Sequence, residues 1–197
     1  MKGGWMMLPL LVVSVLAVAI ILERLYNLRA GRMVPGHLVP AIETDVRRGD
    51  LEQALQRAES DGSPLAVVLA SGLRNSGLAR EIIKESIEET GRHVVADMGR
   101  YLTLLGTIAA VSPLLGLLGT VIGMIKVFAV ITARGVGDPT VLSGGISEAL
   151  LTTAVGLAIA IPSLAMHRYF NAKLDRLVVD MEQSALRVVE LIRGDRR

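Results

Sequence analysis

Three long apolar runs constrain this chain more than any other feature of its sequence. They extend from Trp5 to Leu22, from Leu102 to Ile125 and from Ala149 to Met166, and none of them contains a charged residue. At about 1.5 Å per helical residue, each run covers roughly 27 Å or more, which matches the hydrocarbon core of a bilayer. We therefore expect an all-α membrane protein with three transmembrane helices.

The composition excludes several other classes of protein. Hydrophobic residues make up 51% of the chain, and its net charge of +2 comes from basic residues that are interleaved with acids, so we expect no nucleic-acid partner. The chain has no cysteine, and His37, His93 and His167 fit no metal-ligand spacing. No nucleophile, base and orienting group share a credible spacing. We expect neither an enzyme nor a cofactor or metal site.

The first apolar run predicts a retained anchor rather than a cleaved signal peptide. No small-residue cleavage pattern follows it, and Glu23 and Arg24 come directly after Leu22. Cytoplasmic flanks of spans carry an excess of Arg and Lys. Here one side has Arg24, Arg29, Arg32, Arg92, Arg100, Arg168, Lys173 and Arg176, whereas the other has Lys2, Lys126 and Arg134. We expect the N-terminus on the outer side of the membrane and the C-terminus in the cytoplasm.

The segments outside the apolar runs are also predicted to be helical. Asp50 and Ser63 are candidate N-caps, the second followed by Pro64. From Leu78 the spacing of apolar and charged residues predicts an amphipathic helix that continues into the second span, and a similar pattern follows the third span. The predicted segments are a first transmembrane helix (1–28), a cytoplasmic helical segment (29–100), a second transmembrane helix (101–133), a periplasmic turn (134–143), a third transmembrane helix (144–168) and a cytoplasmic helical tail (169–197).

The second span carries small residues on one helical face. Gly116, Gly119, Thr120 and Gly123 share that face, and small residues in this spacing let membrane helices approach closely. Helix packing alone is one interpretation of the glycines. Pro113 should bend the helix and free a backbone carbonyl within the membrane.

The third span begins with an acid in an apolar setting. An ionised carboxylate inside a bilayer costs roughly 2.5–3.5 kcal/mol on insertion scales, so Glu148 should face a bundle interior or a wet cavity. Helical geometry puts Thr152 on the face of Glu148, flanked by Gly156, and Thr153 about 100° further round. Asp138 is a candidate cap before this span, and Pro162 can kink its inner half. A carboxyl group beside hydroxyls can bind a proton or hold a water chain.

Two separated motifs resemble the signature regions of the ExbB/TolQ/MotA proton-channel family, most closely its three-span ExbB and TolQ branch. Ser112 to Met124 has the arrangement PxxGLxGTVxGM, and Gly144 to Pro162 has GIxEALxxTAxGLxxAIP. The order of the spans, the cytoplasmic segment and the helical tail are similar as well, so the resemblance covers nearly the whole chain.

The resemblance implies a ring of five copies in the inner membrane of a Gram-negative bacterium, around a pore that holds a single-span partner similar to ExbD or TolR. Thr120 and Thr153 match the pore-facing threonines of the family, and Glu148 matches its glutamate at the outer end of the last span. Helix geometry favours Thr152 as the companion of Glu148, whereas the motif favours Thr153 for the pore. Pro113 also matches a family proline.

The implied function is conversion of the proton motive force into work on a TonB-like protein, which energises transport across the outer membrane, including uptake of iron complexes. A TolQ-like role in outer-membrane integrity and cell division, with a TolA-like companion, is an alternative, as is a gliding or secretion motor. A passive scaffold, in which glycines and threonines only pack helices, is a further alternative from a different class.

Overall fold

The computed structural model describes residues 5–135 and 139–192, and over these ranges it contains helices but no strand. The helices are α1 (Met7–Asn27), α2 (Ala30–Met33), α3 (Leu38–Arg47), α4 (Leu51–Asp61), α5 (Pro64–Arg74), α6 (Arg80–Arg134) and α7 (Pro139–Ile192). The expectation of an all-α protein is confirmed.

Three of these helices, α1, α6 and α7, are long and apolar enough to cross a membrane, judged by length and composition. Their apolar stretches leave many large side chains uncovered within the single chain; Leu114, Ile125 and Ile161, for example, are 61%, 62% and 67% exposed. Exposed apolar surface on this scale marks a membrane or protein interaction surface. The three helices of spanning length agree with the sequence prediction.

The chain divides into two compact units. We call Met1–Arg24 and Tyr101–Tyr169 the span unit, and Leu25–Arg100 and Phe170–Arg197 the short-helix unit. In the span unit, α1 buries Leu10, Ala17 and Ile20, a spacing that places them on one helical stripe.

The short-helix unit contains the two predicted N-caps. Asp50 Oδ1 accepts a hydrogen bond from Gln53 N at 3.0 Å, which starts α4, and Ser63 Oγ accepts from Ala66 N at 3.3 Å, which starts α5. Each cap satisfies one backbone N–H that has no partner within the helix. Both N-cap predictions are confirmed.

Polar contacts join the short helices to one another. The buried carboxylate of Asp45 on α3 lies 2.8 Å from Arg57 Nε on α4, and Arg74 on α5 lies 2.6 Å from Glu59 on α4. Asn75, which follows α5, donates to Ser86 Oγ on α6 at 2.9 Å. The unit is therefore held by directed polar contacts as well as by apolar burial.

The long helices are continuous, as the sequence predicts. Helix α6 extends from Arg80 through the second apolar run, and α7 extends through the third apolar run to Ile192. Helix α7 begins at Pro139, upstream of Gly144, where the third transmembrane segment is predicted to begin. The candidate cap Asp138 lies outside the described residues.

Candidate functional site

In the span unit, the small-residue face of α6 packs directly on α7. Gly116, Gly119 and Gly123 are all buried. A Cβ added at Gly116 would lie 2.9 Å from the backbone oxygen of Thr152, and one at Gly123 would lie 2.8 Å from Ala149 Cβ. At Gly119 an added Cβ would collide with the Thr152 side chain. The two backbones approach so closely that these positions have no room for a side chain.

Helix α7 contributes its own glycine to this contact. A Cβ at Gly156 would lie 2.6 Å from the backbone oxygen of Ser112 and 3.2 Å from Gly116 Cα. Because the obstructing atoms belong to the α6 backbone, they cannot move aside as a side chain would. The contact is therefore reciprocal, with small residues on both helices, which is how membrane helices pack without a hydrophobic driving force.

Two threonine hydroxyls meet one backbone carbonyl at the centre of this contact. Thr153 Oγ1 donates to the Gly116 oxygen at 3.0 Å. Thr152 Oγ1 donates to the Ala149 oxygen at 2.7 Å and lies 3.4 Å from the same Gly116 oxygen. Thr152 is only 2% exposed, whereas Thr153 is half-buried. Thr152 thus lies within the helix–helix interface, and Thr153 lies at its edge.

Thr120 and Glu148 take no part in this hydrogen-bonded cluster. Both are half-buried, and the Thr120 hydroxyl donates to the Leu117 oxygen of its own helix at 2.7 Å. Over the described ranges, no hydrogen bond or ion pair of the Glu148 carboxylate is present. The fold therefore brings Thr152, Thr153 and the glycines together. The Thr120 oxygen can still accept a hydrogen bond, and the Glu148 carboxylate can still accept several.

Both predicted prolines, Pro113 and Pro162, lie inside continuous helices, and each has a buried serine next to it. Ser112 Oγ donates to the Ile108 oxygen at 2.7 Å, and Ser163 Oγ donates to the Ile159 oxygen at 2.7 Å. Such back-bonding satisfies a hydroxyl inside an apolar helix. Sequence reasoning missed both serines, although their position beside a proline in an apolar run is a usable signal.

Sequence reasoning also missed two contacts at the ends of the spans. Arg24 is 4% exposed, its Nε lies 2.9 Å from Glu23 Oε2, and its guanidinium lies 4.7 Å from the centroid of the Tyr101 ring. The His167 ring lies against Gly106, where an added Cβ would be 2.8 Å from its Cε1 atom. Periodicity assigns such residues to a helix face but does not identify the neighbour that covers them.

Comparison with known proteins adds independent information. Residues 60–183 match the model of a family described as the MotA/TolQ/ExbB proton channel family. The matched region includes both motifs and the α6–α7 contact at the glycines and threonines. The description names a transport activity and no enzymatic one.

Curated relatives extend the similarity over most of the chain. The chain is 33% identical to a putative biopolymer transport protein ExbB-like 3 of Synechocystis sp., over 87% of this chain and 83% of that protein. It is 33% identical to the biopolymer transport protein exbB1 of Vibrio cholerae, over 92% of this chain and 81% of that protein. A solved structure of C. jejuni MotAB superposes with a TM-score of 0.56 at 21% identity, over 90% of this chain and 68% of that chain. At this identity the last similarity supports the fold alone.

Proposed function

The chain belongs to the MotA/TolQ/ExbB proton channel family, and from this membership we propose that it is the proton-channel subunit of a motor in a bacterial inner membrane. Relatives named as biopolymer transport proteins favour an ExbB-type output, in which the motor energises TonB-dependent transport across the outer membrane. The N-terminus is periplasmic and the C-terminus cytoplasmic in this proposal, as the distribution of basic residues favours.

The proposed assembly is a homopentamer around a single-span, ExbD-like partner. The support is physical: Leu114, Ile125 and Ile161 are largely exposed in the single chain, and a closed ring would cover part of such surface without leaving open edges. The single acid of the third span cannot by itself form a relay across the membrane. A partner helix with its own acid, or further copies of this chain, must complete the path.

Thr153, Thr120 and Glu148 are the proposed proton-pathway residues. All three are half-buried, so another subunit or a water-filled axis can still reach them. Thr152 has a different proposed role because it is buried between α6 and α7. Together with Gly116, Gly119 and Gly156, it fixes the spacing of the two helices that present Thr153, and Gly123, Pro113 and Pro162 shape the same helix pair.

The proposed mechanism converts a proton transfer into movement. A proton that reaches the partner's acid changes the charge of that side chain, and the changed charge shifts the partner relative to the ring. The energy source is adequate, since moving one elementary charge across the membrane releases roughly 2.3 kcal/mol per 100 mV. The work would then pass to a TonB-like protein.

The observation that carries this proposal is the hydrogen bond from Thr153 to the Gly116 carbonyl, which links the two family motifs in space.

The Thr153→Ala and Thr153→Tyr variants should abolish uptake that depends on the membrane potential, with a pentamer still counted by native mass spectrometry. The matched control is Thr107→Ala, since Thr107 is an exposed threonine of α6 that bonds only to Thr103 of its own helix. Normal energised uptake in the Thr153 variants would contradict the pore assignment.

A second experiment separates the ExbB-type output from the TolQ-type output. Co-purification with a TonB-like companion, together with the single-span partner, is the expected result. Recovery of a TolA-like companion instead would assign the chain to outer-membrane integrity and cell division. Absence of proton flux in reconstituted membranes that contain both chains would favour a passive scaffold.

A further inference from the structure

The chain that follows the first span carries an uncompensated basic segment. Between Arg24 and Ile42 the sequence contains no acidic residue. The nearest acid on the N-terminal side, Glu23, lies 2.9 Å from Arg24. Arg29 and Arg32 are exposed, and neither forms an ion pair with a carboxylate in the described part of the chain.

The two arginines are held on a single aromatic ring, within the short-helix unit. The guanidinium of Arg32 lies 4.2 Å from the centroid of the Tyr26 ring, and that of Arg29 lies 5.6 Å from it. Arg32 Nη2 also donates to Tyr26 Oη at 2.8 Å. We call Tyr26, Arg29 and Arg32 the tyrosine–arginine cluster. Arg32 thus contacts both the face and the hydroxyl of the ring, whereas Arg29 contacts the face alone.

Two cations on one ring repel each other, and the repulsion falls when an anion lies beside them. A guanidinium presents a planar fork of donors that matches phosphate oxygens, and a pair of forks can bind one phosphate from two sides. The cluster therefore has the donors and the charge of a phosphate site, and no carboxylate of the described residues pairs with either arginine.

The position of the cluster at the end of the first span favours a lipid headgroup, rather than free phosphate, as the bound anion. Tyr26 lies in the last turn of α1, four residues after Leu22, where the apolar part of that helix ends, and tyrosine is enriched at the level of lipid headgroups. Basic residues that immediately follow a transmembrane helix attract anionic lipids. We infer that the tyrosine–arginine cluster binds the headgroup of an anionic phospholipid at the membrane surface.

The test measures lipid binding to the purified, full-length protein by native mass spectrometry, with phosphatidylglycerol or phosphatidylcholine added to delipidated samples. The wild type should retain phosphatidylglycerol preferentially, and Arg29→Gln combined with Arg32→Gln should weaken that retention about thirtyfold, with phosphatidylcholine unaffected. The matched control is Arg47→Gln with Arg48→Gln, which removes the same charge from two exposed arginines at the end of α3 and should leave retention unchanged.

Two further variants keep the inference open to refutation if the glutamine variant does not fold. Arg29→Lys with Arg32→Lys retains the charge but removes the planar forks, and it should give intermediate retention. Tyr26→Phe removes only the hydroxyl that Arg32 contacts, and it should weaken retention slightly.

Three outcomes would overturn the inference: equal loss in the two glutamine pairs, equal retention of the two lipids by the wild type, or displacement of phosphatidylglycerol by millimolar inorganic phosphate. The last outcome would identify a site for free phosphate. The experiment needs no partner protein and no proton flux, so its failure and a failure of the proposed motor function are distinguishable.

Discussion

Gly156 in the span unit and Gly72 in the short-helix unit are equally crowded. They differ in the kind of atom that a side chain at each position would meet. A Cβ at either position would lie 2.6 Å from its nearest neighbour. At Gly156 that neighbour is the backbone oxygen of Ser112, whereas at Gly72 it is Cδ1 of Ile87, the end of a flexible side chain. The two units therefore use close packing in different ways.

The difference corresponds to the surroundings of each region. Helices that share a lipid environment gain little from burying apolar side chains against one another, so backbone proximity and dispersion contacts hold them. In the short-helix unit, apolar burial is combined with caps and ion pairs such as Asp45 with Arg57. No ion pair joins the apolar parts of α6 and α7 among the residues that the structure describes.

The largest effect is expected at Gly156. The change Gly156→Ala forces the α6 and α7 backbones apart, and overpacking of this kind costs about 1–3 kcal/mol. Thermal unfolding in detergent, followed by the helical circular dichroism signal, should show a clearly lower melting temperature than the wild type.

Gly144→Ala is the matched control on the same helix, because nothing lies within 4 Å of a Cβ at Gly144. Since alanine is the better helix former by roughly 1 kcal/mol, this change should be neutral or slightly stabilising. Equal melting temperatures for the two variants would show that the close α6–α7 contact does not contribute to stability.

An intermediate effect is expected at the N-cap of α4. Asp50→Ala removes the acceptor for Gln53 N, and the loss of such a cap costs about 1 kcal/mol. Asp50→Asn retains an acceptor oxygen and should stay close to the wild type in denaturant-induced unfolding. If the alanine and asparagine variants unfolded at the same denaturant concentration, the cap would have no measurable role.

The smallest effect is expected at Gly72. Gly72→Ala requires only that the end of the Ile87 side chain move, and the gain in helix propensity of about 1 kcal/mol offsets that adjustment. We expect a change in unfolding free energy within about 0.5 kcal/mol of the wild type. A loss of unfolding free energy as large as that of Gly156→Ala would contradict the claim that a side-chain neighbour is easier to displace than a backbone neighbour.

Much of the fold could be predicted because its signals are local. The length of an apolar run predicts a spanning helix, and the caps at Asp50 and Ser63 depend on residues only three positions away. The continuity of α6 follows from an amphipathic pattern that contains no proline between Arg80 and the second span, although it includes Gly91 and Gly99. Such features need no knowledge of the neighbouring elements.

The candidate site was less predictable because it depends on how two helices are rotated against each other. Thr152 and Thr153 are adjacent in sequence, yet Thr152 is buried against α6 and Thr153 is half-buried. Burial of Arg24 likewise depends on Tyr101, a residue far away in the chain. Periodicity gives the angle between two side chains on one helix, but it does not give the partner helix.

The hydrogen bond at Gly116 also determines how Thr153 can meet water. A hydroxyl has a single hydrogen, and that of Thr153 is directed at the Gly116 carbonyl. Its remaining lone pairs can only accept, so an incoming water molecule or hydronium ion must arrive with a hydrogen pointing toward it. One backbone carbonyl thereby fixes the direction of the Thr153 hydroxyl hydrogen and leaves the oxygen open to a neighbouring donor.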